Sequence, residues 1–123
     1  MSSEQPVDTY ERILIRMGGD VELLSDAAQI LIDELPRYLD AIHRALKSGD
    51  AGALQRAAHS LKGAASNFEA SAVVEAARRL EMMGRDGTLE TSLDAWNTLN
   101  TASHGLMRLL QSYAIQRSPS LEH

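Results

Sequence analysis

Apolar residues recur along this chain at three- and four-residue intervals, and glycine-bearing turns divide the recurrence into four long segments and one short one. The first segment, about Val7 to Arg16, stops at Gly18-Gly19. Asp20 then stands where an N-cap carboxylate accepts hydrogen bonds from the first amides of a second helix. In that helix Leu23, Ala27, Ile30, Leu31, Leu35, Leu39, Ile42 and Leu46 form the expected apolar stripe. Pro36 interrupts the stripe without ending its period, which predicts a kink near Ile32 to Pro36 rather than two helices. Ser48-Gly49 closes the segment, and Asp50 is placed to cap a third helix running to about Phe68. A fourth is expected from about Ser71 to Met83, followed by a turn over Gly84 to Gly87 that leaves Met82-Met83 at the core edge. The last, about Leu89 to Gln116, puts Leu89, Trp96, Leu99, Leu106, Leu110 and Tyr113 on a near-heptad seam, with a polar, weakly packed middle from Asn97 to Gly105.

The fold class predicted is all-α: an antiparallel four-helix bundle with a short additional N-terminal helix, spanning residues 7–117. Residues 1–6 are expected to be a flexible tail, and residues 118–123 a second tail whose Leu121-Glu122-His123 reads as the remnant of a purification tag. Composition agrees with the helical reading. One Trp, three Tyr and one Phe are the only aromatics, so the core must be built from Leu, Ile and Ala. Ala57, Ala58, Ala64, Ala65, Ala72, Ala76 and Ala77 make the third and fourth helices narrow enough to lie close and group side chains from both on one surface.

The absence of cysteine excludes disulfides, thiolate metal sites and a thiol nucleophile. No apolar run reaches the roughly 20 residues of a membrane span, and the N-terminus lacks the regions of a secretory signal, so a cytoplasmic protein with no membrane contact is expected. A net charge of −5 makes nucleic acid an unsuitable partner. The stretch from Gly52 to Arg85 runs the other way, with five basic residues against three acidic ones, a patch suited to an acidic partner. His43 and His104 have no evident ligand set, and no metal site is expected.

The third helix carries the candidate chemistry. Leu54, Ala58, Leu61, Ala65 and Phe68 share one side, and His59 lies about 140° from the centre of that stripe, facing solvent. Gln55, Lys62, Gly63 and Ser66 surround it. Taken singly these are an exposed histidine, a solvated lysine and a tolerated glycine. Two considerations point further. Glycine within a helix costs about 1 kcal/mol relative to alanine, and its missing side chain would clear a path to His59. Neutral imidazole is a competent nucleophile near neutral pH.

The run Ala58-His59-Ser60-Leu61-Lys62-Gly63-Ala64-Ala65-Ser66-Asn67-Phe68 resembles the signature of histidine-containing phosphotransfer domains. The resemblance implies a four-helix bundle in which His59 accepts a phosphoryl group, Lys62 helps hold its oxygens, and Gln55, Gly63 and Ser66 form the docking surface. It also places Glu81, on the following helix, as the group that orients the imidazole, with Arg85 on the same flank adding charge near the phosphoryl group. Many members have glycine where this chain has Glu69, so the left-handed turn is expected elsewhere, at Asn67.

On that resemblance the chain is a monomeric phosphorelay intermediate without autonomous kinase activity and with no cofactor of its own, any Mg2+ belonging to its partner. Its partners would be response-regulator receiver domains and a hybrid sensor kinase. Two alternatives are the dimerising phospho-accepting hairpin of a sensor histidine kinase and a binding-only helical adaptor. The hairpin is disfavoured by Ser60, since such hairpins usually place an acidic residue directly after the histidine.

Overall fold

A computed structural model describes residues 7–115 and contains five helices: α1 (Val7–Arg16), α2 (Val21–Ser48), α3 (Ala51–Ser66), α4 (Ser71–Asp86) and α5 (Ser92–Ile115), with no strand among the described residues. The expected tails and the end of the last helix at Gln116 fall outside these residues. Helices α2 to α5 form a closed ring in which each packs on the next, and α3 with α4 is the most extensive pairing. Contacts at both ends fix an antiparallel course: Ser25 Oγ donates to Ala114 O between α2 and α5, and His43 lies on Trp96 at the opposite end.

The caps follow from local chemistry. Asp20 Oδ1 accepts from Leu23 N and Asp50 Oδ1 from Ala53 N, each at 3.0 Å, satisfying amides that the helix cannot. Gly49, at φ 70°, ends α2 in a left-handed turn, and its neighbour Asp50 N reaches back to Ala45 O. Pro36 lies inside α2, which runs unbroken past it.

Several expectations about packing are corrected. Leu23 (49% exposed) and Ile30 (57% exposed) lie outside the core, which takes Leu24, Ala28 and Ala45 from α2 beside the expected Leu31, Leu35 and Ile42. Two apolar rows run side by side along this helix, and packing selects the one that meets α3 and α5. Ile30 lines an open groove of about 340 Å³ with Ala64 and Phe68. Helix α4 extends through Gly84 to Asp86, and the turn begins only at Gly87, so Met82 and Met83 are both helical. Helix α5 starts at Ser92, with Leu89 before it, and its middle is packed rather than loose: Leu99 is fully buried and Ser103 nearly so.

The turn between α3 and α4 departs most from expectation. Asn67 is right-handed (φ −64°), and Glu69 itself takes the left-handed conformation at φ 53°. A side chain there is disfavoured, and what holds it is long-range. Arg12 of α1 donates from Nε (3.0 Å) and Nη2 (2.8 Å) to Glu69 Oε1, Arg16 Nη1 reaches Oε2 at 3.3 Å, and Arg16 Nη2 donates to Asn67 O at 2.8 Å. Beneath this clamp Ile13 is fully buried, and the Tyr113 ring lies 5.1 Å from Tyr10 and 6.3 Å from Phe68. The short first helix is thereby fastened to the end of α3.

The hydrogen bond from Arg12 leads in holding the Glu69 carboxyl below its usual value of 4.5, against the opposing cost of desolvation. A lowered folded pKa means that the fold favours the ionised form; the stabilisation is present above about pH 4.5 and is lost as pH falls through the folded value. The melting temperature of Glu69→Gln should therefore lie below that of the wild type at neutral pH, with the gap closing under acid conditions. Thermal melts at a series of pH values check this, and a gap independent of pH would mean that the ion pairs do not hold α1.

Candidate functional site

Helix α3 is built on alanine and leucine with Leu54, Ala58, Leu61 and Ala65 buried, which leaves His59 on the opposite face with its side chain 67% exposed. What approaches it is decided by the spacing of α3 and α4. Ala76 and Ala77 are buried on α4, and Gly84 is buried so tightly that an added Cβ would stand 2.6 Å from Gln55 N and 2.7 Å from Ala51 O. These are backbone atoms and cannot swing aside. Glycine is required there by the close approach of two helices, which is why the pattern of a turn was misleading.

With the helices this close, Glu81 reaches across from α4. Its Oε2 lies 2.8 Å from His59 Nδ1, and its Oε1, sealed from solvent, lies 2.7 Å from Lys62 Nζ. The Glu81 side chain is only 13% exposed. The Lys62 ammonium is the leading cause holding its carboxyl below the usual 4.5, against desolvation, and His59 lowers it further. An ionised carboxylate only accepts hydrogen bonds, so the ring nitrogen facing it must carry the proton. In the neutral imidazole the lone pair is then on Nε2, the nitrogen turned away from Glu81.

His59, Lys62 and Glu81 are thus brought together. Arg85 is one turn further along α4, exposed and without an ion pair among the described residues. Gly63 is exposed, and a side chain added there would meet nothing within 4 Å. Ser66 is exposed, but its hydroxyl donates to Gly63 O at 2.8 Å and closes the end of α3. Gln55 is half-buried with its backbone against Gly84. No group of three or more His, Asp or Glu able to hold a metal ion occurs among the described residues. One residue on this face escaped the reading of the sequence: Arg56, three positions before His59 and exposed. The helical offset alone would have found it.

A family model described as the Hpt domain matches residues 26–113. The chain belongs to this family. No curated protein and no solved structure matches it. The matched Hpt region takes in the whole of α3 and α4 and leaves α1 outside. Hpt domains are helical phosphotransfer modules of two-component signalling, so histidine phosphotransfer is the general function of this chain. No helix among the described residues is long and apolar enough to cross a membrane.

The two exposed-face and interface glycines of this Hpt domain should respond oppositely to the same substitution. Gly84→Ala forces α3 from α4 and should lower stability by about 1–3 kcal/mol. Gly63→Ala meets open space and should raise it by about 1 kcal/mol through helix propensity. Urea denaturation of both variants checks the pair, and equal effects would contradict the distinction drawn between them.

Proposed function

We propose that this Hpt domain is a phosphorelay intermediate that accepts a phosphoryl group on Nε2 of His59 from the aspartate of a receiver domain and delivers it to another receiver. The observation that carries the reading is the 2.8 Å contact between Glu81 Oε2 and Nδ1 of an otherwise exposed imidazole. In the forward step the Nε2 lone pair attacks phosphorus as the bond to the aspartyl oxygen breaks. The aspartate leaves as a carboxylate, and the phosphorylated ring keeps its Nδ1 proton and a positive charge. Glu81 faces that charge with a carboxylate already in place, stabilising the product ring without reorganisation.

Lys62 holds the second carboxylate oxygen at 2.7 Å in the resting protein, so its first effect on the reaction is to fix Glu81. The resemblance also gives Lys62 a share in screening the phosphoryl charge. Gln55, Gly63 and Ser66 border the approach to His59, and Gly63 leaves it clear. Arg85 adds positive charge to the same side. The magnesium that aspartyl-phosphate chemistry uses belongs to the receiver, and the domain works as a cytoplasmic monomer with no kinase activity of its own, supplied by receivers or by a hybrid sensor kinase.

Incubation with an aspartyl-phosphorylated receiver should place acid-labile label on the wild type and none on His59→Gln. Because His59 is a surface side chain, the variant should keep its stability to within about 0.5 kcal/mol. Undiminished label on the variant would remove His59 from the role.

A further inference from the structure

The cation one turn after His59, Lys62, is already occupied. Lys62 Nζ lies 2.7 Å from Glu81 Oε1, on the carboxylate whose other oxygen faces Nδ1, whereas a phosphoryl group would be held on Nε2. A phosphoryl group on Nε2 calls for N–H donors as well as positive charge close to that nitrogen, and a guanidinium supplies both. Helical side chains lean toward the N-terminus of their helix, so the His59 ring overlies the turn before it. Arg56 stands in that turn at i−3, a position whose Cβ is about 5–6 Å away.

Arg56 is exposed and has no ion pair among the described residues. Its backbone oxygen accepts from Ser60 Oγ at 3.1 Å, but its guanidinium rests over Gly52, where an added Cβ would meet Nη1 at 3.4 Å. Gly52 offers no side chain to pack against. The carboxylate beside that spot, Asp50, forms no ion pair among the described residues and uses Oδ1 to cap Ala53 N at 3.0 Å. A guanidinium with five donors is thus parked on a bare helical turn, within a side chain's reach of the nucleophile.

We propose that Arg56 is the residue that grips the phosphoryl oxygens on Nε2 of His59, moving off Gly52 to donate its N–H groups to them. No proton changes owner in this step. The guanidinium forms charge-assisted hydrogen bonds to oxygens that become more accessible as the bond to the aspartyl donor breaks. The division of labour is then two-sided: Glu81 and Lys62 govern Nδ1, and Arg56 governs the group on Nε2. The proposal rests on His59 being the phosphoryl carrier.

The test uses the protein labelled by an aspartyl-phosphorylated receiver and then separated from it. Absence of label on the wild type would refute the carrier reading itself, and with it this proposal. Given label on His59, the Arg56 side-chain Nε–H resonance should move on phosphorylation in the partner-free protein, and Arg56→Gln should accept label about tenfold more slowly while Arg56→Lys recovers part of the rate. An unmoved resonance in protein labelled at His59 would overturn the assignment, even if the variant is slow, because Arg56 would then serve the receiver contact instead. An unchanged rate in Arg56→Gln would overturn it as well.

Discussion

The closeness of α3 and α4 is the constraint on which the site depends. A carboxylate on one helix can meet an imidazole on its neighbour at 2.8 Å only if the two backbones are held near each other, and at Gly84 no room is left for a single carbon. The buried alanines 58, 65, 76 and 77 extend that closeness along the pair. Small residues thus act on the chemistry through geometry. Glu81 is kept nearly out of solvent, where its contacts to His59 and Lys62 are stronger and hold its carboxylate in place.

Two glutamates do related work at different places. Glu81 joins His59 and Lys62 in the middle of the α3–α4 pair, and Glu69 joins Arg12 and Arg16 at its end. Both carboxyls are held below their ordinary value by cationic partners. The consequences differ. Glu81 faces Nδ1 of the His59 ring and so places the proton of the neutral imidazole there, whereas Glu69 fastens α1, a helix outside the matched family region, to the turn that follows α3. The bundle and its added helix are therefore tied together at the α3–α4 turn by charge as well as by the packing of Ile13, Phe68 and Tyr113.

Much of the architecture was legible because its signals are local. Asp20, Asp50 and Gly49 mark helix ends through their own side-chain or backbone chemistry, and the structure uses all three as read. The outward direction of His59 followed from helical periodicity alone. Glu81 needed the family resemblance as well, since no spacing within one helix shows what a second helix will face. The features that escaped are tertiary. Glycine 84 looked like the start of a turn because nothing adjacent to it announces a neighbouring backbone at 2.6 Å. Glu69 could hold a left-handed conformation only through arginines more than fifty residues away, so Asn67 was the reasonable but incorrect local choice. In α2 the rows Leu23, Ala27, Ile30 and Leu24, Ala28, Leu31 have the same period, and only the packed bundle chooses between them.

The central claim is that Glu81 fixes the proton on Nδ1 and leaves Nε2 of His59 free to react. Nitrogen NMR of the imidazole, recorded at a pH where the ring is neutral, reads the tautomer directly. The wild type should hold the proton on Nδ1, and Glu81→Ala should lose that preference. A wild-type ring protonated on Nε2 would contradict the account.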